Sequence, residues 1–111
     1  MALATHLSLT DLFGTSATND AATHPNTEVA FTVYELNSDI TNSATVTPEG
    51  IVLALLQKWN AAQGTDAARR LEVSESQSIV SRGGDSVYCE QFIVRIYSGS
   101  TPVSPMDPDD V

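Results

Sequence analysis

The chain has 111 residues, 41% of them hydrophobic and 6% aromatic, with 14 acidic against 5 basic side chains and a formal charge of -9. That length supports one domain with a modest core and leaves no room for a catalytic domain beside a separate binding domain. The charge opposes a phosphate backbone as partner, the single Cys89 excludes an intramolecular disulfide or a cysteine-based zinc site, and no window approaches a membrane span.

Met1 to Leu7 lacks a basic region and a sustained apolar stretch, so no signal peptide is expected. A cytoplasmic location follows, with a virion or mobile-element origin equally compatible. The acidic surplus reads as a solvated surface. Ala2 to Phe13 alternates weakly through Leu3, Leu7 and Leu9 and reads as a strand and turn, the alternative being a short helix from Thr10. Gly14 to Thr27, rich in small polar residues and closing on His24, Pro25 and Asn26, reads as a long loop. Glu28 to Leu36 alternates cleanly and predicts a strand, with Val29, Phe31 and Val33 on one face.

Asn37, Asp39 and Thr41 alternate oxygen-bearing side chains but lack the glycine and distal glutamate of a calcium loop, so they read as a turn. The clearest helix begins after Thr47, an N-cap followed by Pro48 and Glu49, and ends at Gly64. Val52, Leu55, Leu56, Trp59 and Ala62 form its expected core stripe, while Ile51 and Leu53 make it apolar on a second side.

Gly83 and Gly84 then mark a tight hairpin spanning Arg70 to Ser98. This register pairs Leu71 with Ile96, Val73 with Val94 and Ile79 with Tyr88 on one face, and Glu72 with Arg95 and Val80 with Val87 on the other. Residues 99–111 read as a flexible acidic, proline-rich tail behind a domain over residues 1–98.

The fold class is therefore α+β: a mostly antiparallel sheet of about four strands with one main helix packed on one face, in the order β-β-α-β-β. No catalytic constellation emerges. His6 and His24 lack metal-ligand spacing, and no serine sits in a nucleophile elbow. No cofactor and no metal site are expected. The leading expectation is a non-enzymatic interaction or assembly protein that forms homo-oligomers, with Val87, Cys89 and Ile93 as interface candidates, and with neither nucleic acid nor membrane as partner. The alternative is a small-molecule-binding or enzymatic domain with a pocket between helix and sheet lined by Trp59, Glu75, Tyr88 and Glu90.

Overall fold

Ser8 sets the first element of the chain. Its hydroxyl accepts from the Asp11 amide at 3.1 Å, and the Asp11 carboxylate accepts from the Ser8 amide at 2.9 Å, a reciprocal cap that starts helix α1 (Leu9–Phe13). The computed structural model that shows this describes residues 3–19, 29–99 and 105–111. The strand expected up to Phe13 is corrected to a helix there, because the cap satisfies orphan amides that weak alternation leaves open. The chain divides into two units, Leu7–Ala62 and Met1–His6 with Gln63–Val111.

In the Leu7–Ala62 unit, α1 closes on Gly14, whose φ of 101° is in the left-handed region and whose amide donates to the Thr10 carbonyl at 3.0 Å. Most of the loop expected over residues 14–27 lies outside the described residues. Its first part contributes β1 (Thr18–Asn19), antiparallel to β2 (Val29–Ala30). The strand expected over residues 28–36 survives only as β2, with Glu28 outside the described residues. Helix α2 (Val33–Leu36) takes over its second half.

Long-range hydrogen bonding is the reason. The Glu35 carboxylate accepts from the Ser16 amide and hydroxyl, both at 2.8 Å, and from the Thr15 hydroxyl at 3.0 Å, while Leu36 is buried. A strand at this position would satisfy the alternation but forfeit those bonds.

These bonds hold the Glu35 carboxyl below its ordinary value of 4.5, the Ser16 amide being the largest cause and the Ser16 hydroxyl the next. A folded-state value below the unfolded one stabilises the fold above the unfolded value, and the gain disappears as pH falls through the folded value. Glu35→Gln is therefore expected to be less stable than the wild type near neutrality and to lose less stability as pH falls from neutrality through and below 4.5. Thermal melts across that window check it; parallel pH profiles for the two proteins would refute it.

Helix α3 (Pro48–Ala62) forms as the sequence expects. Thr47 Oγ1 accepts from the Gly50 amide at 3.0 Å, Pro48 occupies the first turn, and Gly64 follows the helix with φ 73°. The helix packs against α1 and α2. Trp59 donates its indole N–H to the Leu12 carbonyl at 3.0 Å and stands edge-on to Phe13, with ring centroids 6.0 Å apart. Phe13 also meets Phe31 at 5.4 Å. The expected core stripe needs one correction: Val52 is 54% exposed and Ala54 only 2%, so packing on the two short helices turns the buried line toward Ala54.

Asn37 and Asp39 form the expected turn, the Asp39 amide donating to Asn37 Oδ1 at 2.9 Å.

In the other unit, β3 (Leu71–Arg82) pairs antiparallel with β4 (Asp85–Ile96) through every register position expected, from Arg82↔Asp85 to Leu71↔Ile96. Gly83 and Gly84 have φ of 60° and 88°, the two positive values a type I′ turn requires. Ala4 exchanges with the base of this ribbon: its amide donates to the Ala68 carbonyl at 2.8 Å and its carbonyl accepts from Arg70 Nε at 2.9 Å. Near the C-terminus a 3-10 turn forms at Pro108–Asp110, and His6 Nε2 lies 3.2 Å from the Val111 carbonyl oxygen.

The fold is α+β, with four antiparallel strands and one main helix among the described residues. The strands are divided between two separate two-stranded sheets, and strands and main helix follow the order β-β-α-β-β.

Candidate interaction surface

Alternation along β3 and β4 gives the ribbon two faces with different chemistry. The first carries Leu71, Val73, Ile79, Tyr88, Phe92, Val94 and Ile96, interrupted at mid-length by Glu75, Gln77 and Glu90. At the base of this face Val73 is 5% exposed. At the tip, Ile79 is 75% and its cross-strand partner Tyr88 64% exposed. Among the described residues the buried apolar side chains are Leu36, Ala54 and Val73, so the other apolar side chains of the ribbon are half-buried or exposed.

The second face holds the interface candidates. Val87 and Ile93 are exposed and Cys89 half-buried, opposite Val80, Ser74 and Ser78 respectively. At the base of that face Glu72 Oε1 accepts from Arg95 Nη1 at 2.8 Å across the strands, and Glu72 Oε2 lies 3.5 Å from Arg69 Nη2. Both pairs are partly exposed and are worth little stability in water, but they fix where the guanidinium groups point.

The pocket candidates are not all in one unit. Glu75, Tyr88 and Glu90 share the first face of the ribbon, whereas Trp59 belongs to the Leu7–Ala62 unit, held by Leu12 and Phe13. Gln77 bridges the carboxylates, its Nε2 donating to Glu75 Oε1 at 3.3 Å and to Glu90 Oε1 at 3.5 Å. Glu90 Oε2 is shielded from water, and among the described residues no donor reaches it. The Tyr88 phenol is held above its ordinary range, first by partial loss of hydration and then by the negative charge of Glu90 and Glu75. Such a cluster repels further negative charge.

Among the described residues, no group of three or more His, Cys, Asp or Glu side chains is placed to hold a metal ion, and no helix is long and apolar enough to cross a membrane. An open recess lies over Asp39, Ile40, Thr41, Asn42, Thr45 and Val46. The polar groups of Asn42 there serve the turn itself: Oδ1 accepts from the Ala44 amide at 2.9 Å, and its carbonyl from the Thr45 and Val46 amides, both at 3.2 Å.

The backbone edge of β3 carries no side-chain signal in the sequence. Gln63 marks it. The Gln63 amide accepts from the Val73 N–H through Oε1 at 2.7 Å and donates to the Val73 carbonyl through Nε2 at 2.8 Å. Both polar groups of Val73 thus point away from β4. The Tyr97 amide donates to the Arg70 carbonyl at 2.8 Å, so even-numbered β3 residues bond toward β4 and odd-numbered ones face outward. No family model, curated protein or solved structure matches the chain.

Proposed function

We propose that this is a small non-enzymatic assembly protein whose ribbon joins copies of the chain into a homo-oligomer. The observation that carries this reading is the exposure of Ile79 and Tyr88 at the tip of a ribbon that, among the described residues, has no further strand beside it. A two-stranded ribbon is marginally stable alone in water, and twelve-residue strands make a long one. With Val94 and Ile96, the exposed side chains on that face present on the order of 400 Å² of apolar surface. That is about half of what one partner contributes to a standard protein interface, so pairing of the backbone edge would supply much of the rest.

Ile79→Lys is the sharpest test, because a lysine on an edge strand is the ordinary natural device against strand addition. The wild type is expected to sediment as a dimer or larger species at micromolar concentration. The variant is expected to sediment as a monomer with an affinity for itself at least about 100-fold weaker, the range expected when a central contact is replaced by a charge. A wild type that stays monomeric up to about 100 µM, where a millimolar-scale Kd would leave association barely visible, would remove the proposal.

A further inference from the structure

The geometry points to a specific docking edge: the outer side of β3 from Glu75 to Ser81 takes the same edge of a second copy in antiparallel register, with the two-fold at Ser78 and Gln63 as the stop that sets it. This rests on the assembly reading above and adds where and how the copies meet.

The stop is visible in the hydrogen bonds. In an antiparallel ladder, a residue in a hydrogen-bonded pair gives its N–H and receives at its C=O from one residue opposite. The Gln63 side-chain amide makes the same pair of bonds to Val73, at 2.7 and 2.8 Å, and so occupies the place of a neighbouring strand. Its orientation is fixed by Arg69, whose Nε donates to Gln63 Oε1 at 3.3 Å and whose guanidinium is anchored by the Asp66 carbonyl at 2.8 Å and by Glu72. Beyond this stop, Glu75, Gln77, Ile79 and Ser81 turn their N–H and C=O groups outward. Among the described residues, no backbone hydrogen bond reaches them from outside the ribbon.

Charge selects the occupant and the edge. Between Glu75 and Arg82, β3 carries no charged side chain, the longest uncharged stretch in either ribbon strand, on a chain whose formal charge is -9. The outward-facing positions of β4 include Glu90, and a symmetric pairing over the middle of β4 would bring two copies of that carboxylate together. The β3 edge avoids this and therefore suits a second copy.

Register then follows from overlap. A partner strand can run along β3 until its turn meets Gln63 at Val73. The longest pairing that clears the stop places the partner's Arg82 opposite Ser74 and the partner's Ser78 opposite Ser78. Glu75 then faces the partner's Ser81, one position from the partner's Arg82, while the two Glu75 carboxylates stand roughly 20 Å apart along the strands, well beyond the screening length. Ile79, the most exposed apolar side chain of the ribbon, comes to lie beside the partner's Gln77, which shields one flank of it.

Ser78 in this register is a non-hydrogen-bonded pair across the two-fold, with Cα atoms about 4.5 Å apart, inside the range a disulfide spans. The test uses the full chain with Cys89→Ser, since Cys89 is cross-strand to Ser78 within one copy. Ser78→Cys is expected to give a disulfide-linked dimer in most molecules under mild oxidation. Ser76→Cys, whose two copies would sit roughly 13 Å apart along the strands, is expected to give almost none. In a Gln63→Leu background the stop is gone, the partner can slide by four residues, and cross-linking through Ser76→Cys is expected to rise severalfold.

An oligomer in which Ser78→Cys does not cross-link overturns the edge while leaving the assembly reading in place. A monomer overturns both. Cross-linking that stays at position 78 after Gln63→Leu, in a protein with wild-type circular dichroism, overturns the role of Gln63.

Discussion

Gly14→Val is expected to unfold the Leu7–Ala62 unit at physiological temperature, and it is the most damaging single substitution that the structure identifies. Two costs meet at this glycine. Its φ of 101° is a conformation β-branched residues avoid, and a side chain there costs about 1–2 kcal/mol in backbone strain alone. A Cβ would also stand 2.6 Å from Glu35 Cβ and 2.7 Å from Glu35 Oε2. Glu35 Cβ is fixed to the backbone of α2, so relief requires that helix to move, and moving it breaks the bonds from Thr15 and Ser16. Overpacking of this kind costs about 1–3 kcal/mol and the loss of hydrogen bonds to a carboxylate about 1.5–3 kcal/mol, together a large fraction of a small domain's stability.

Gly64→Val is the control, since Gly64 has φ 73° but nothing within 4 Å of its would-be Cβ. It should cost only the backbone term, about 1–2 kcal/mol. Urea unfolding followed by Trp59 fluorescence separates the two variants, because Trp59 stands edge-on to Phe13 in the same unit as Gly14. Equal midpoints for both would show that the Glu35 contact carries no weight.

What the sequence discloses depends on how far apart the cooperating residues lie. The ribbon is legible because one local turn sets every pair: once Gly83 and Gly84 are placed, the partner of each residue follows by counting, and the pairing of Glu72 with Arg95 confirms the count. Helix α3 is legible for a similar reason, with Thr47 and Pro48 beginning it and Gly64 after it. Helix α1 had a local signal in Ser8 and Asp11, outweighed by weak alternation of leucines. Helix α2 had none, because what turns Val33 to Leu36 into a helix is a carboxylate reaching residues 19 and 20 positions away.

The surface divides the same way. Val87, Cys89 and Ile93 follow from period-two alternation, and so does the grouping of Glu75, Tyr88 and Glu90. Residue type alone places Trp59 with those carboxylates, whereas its hydrogen bond runs to Leu12, 47 positions away, which no periodicity encodes. Gln63 is the least legible residue of all. Its significance depends on the direction of the Val73 backbone groups, and a glutamine after a helix looks like any solvated polar residue until that direction is known.

Replacing both turn glycines, Gly83→Val with Gly84→Val, is expected to destroy the assembly while leaving α3 in place. Nothing lies within 4 Å of either would-be Cβ, so no contact is lost or crowded and the whole effect comes from backbone conformation. Two positive φ values forced on β-branched residues cost about 1–2 kcal/mol each. The ribbon has little with which to offset that, since among its described residues only Val73, near the base, is a buried apolar side chain. Fraying should therefore start at Arg82–Asp85 and pass through Val80–Val87 and Ile79–Tyr88 before it reaches Leu71–Ile96. The edge proposed to pair with a second copy is the part that frays, so the sedimenting oligomer should vanish while amides at the base keep most of their exchange protection. Gly83→Asn, which tolerates the left-handed conformation and restores the commonest type I′ pair, should leave assembly intact and raise ribbon stability by about 0.4–1 kcal/mol through a less flexible unfolded chain. Amide exchange resolved along β3 and β4 reads both variants, and uniform loss of protection from turn to base would contradict the polarity argued for the ribbon.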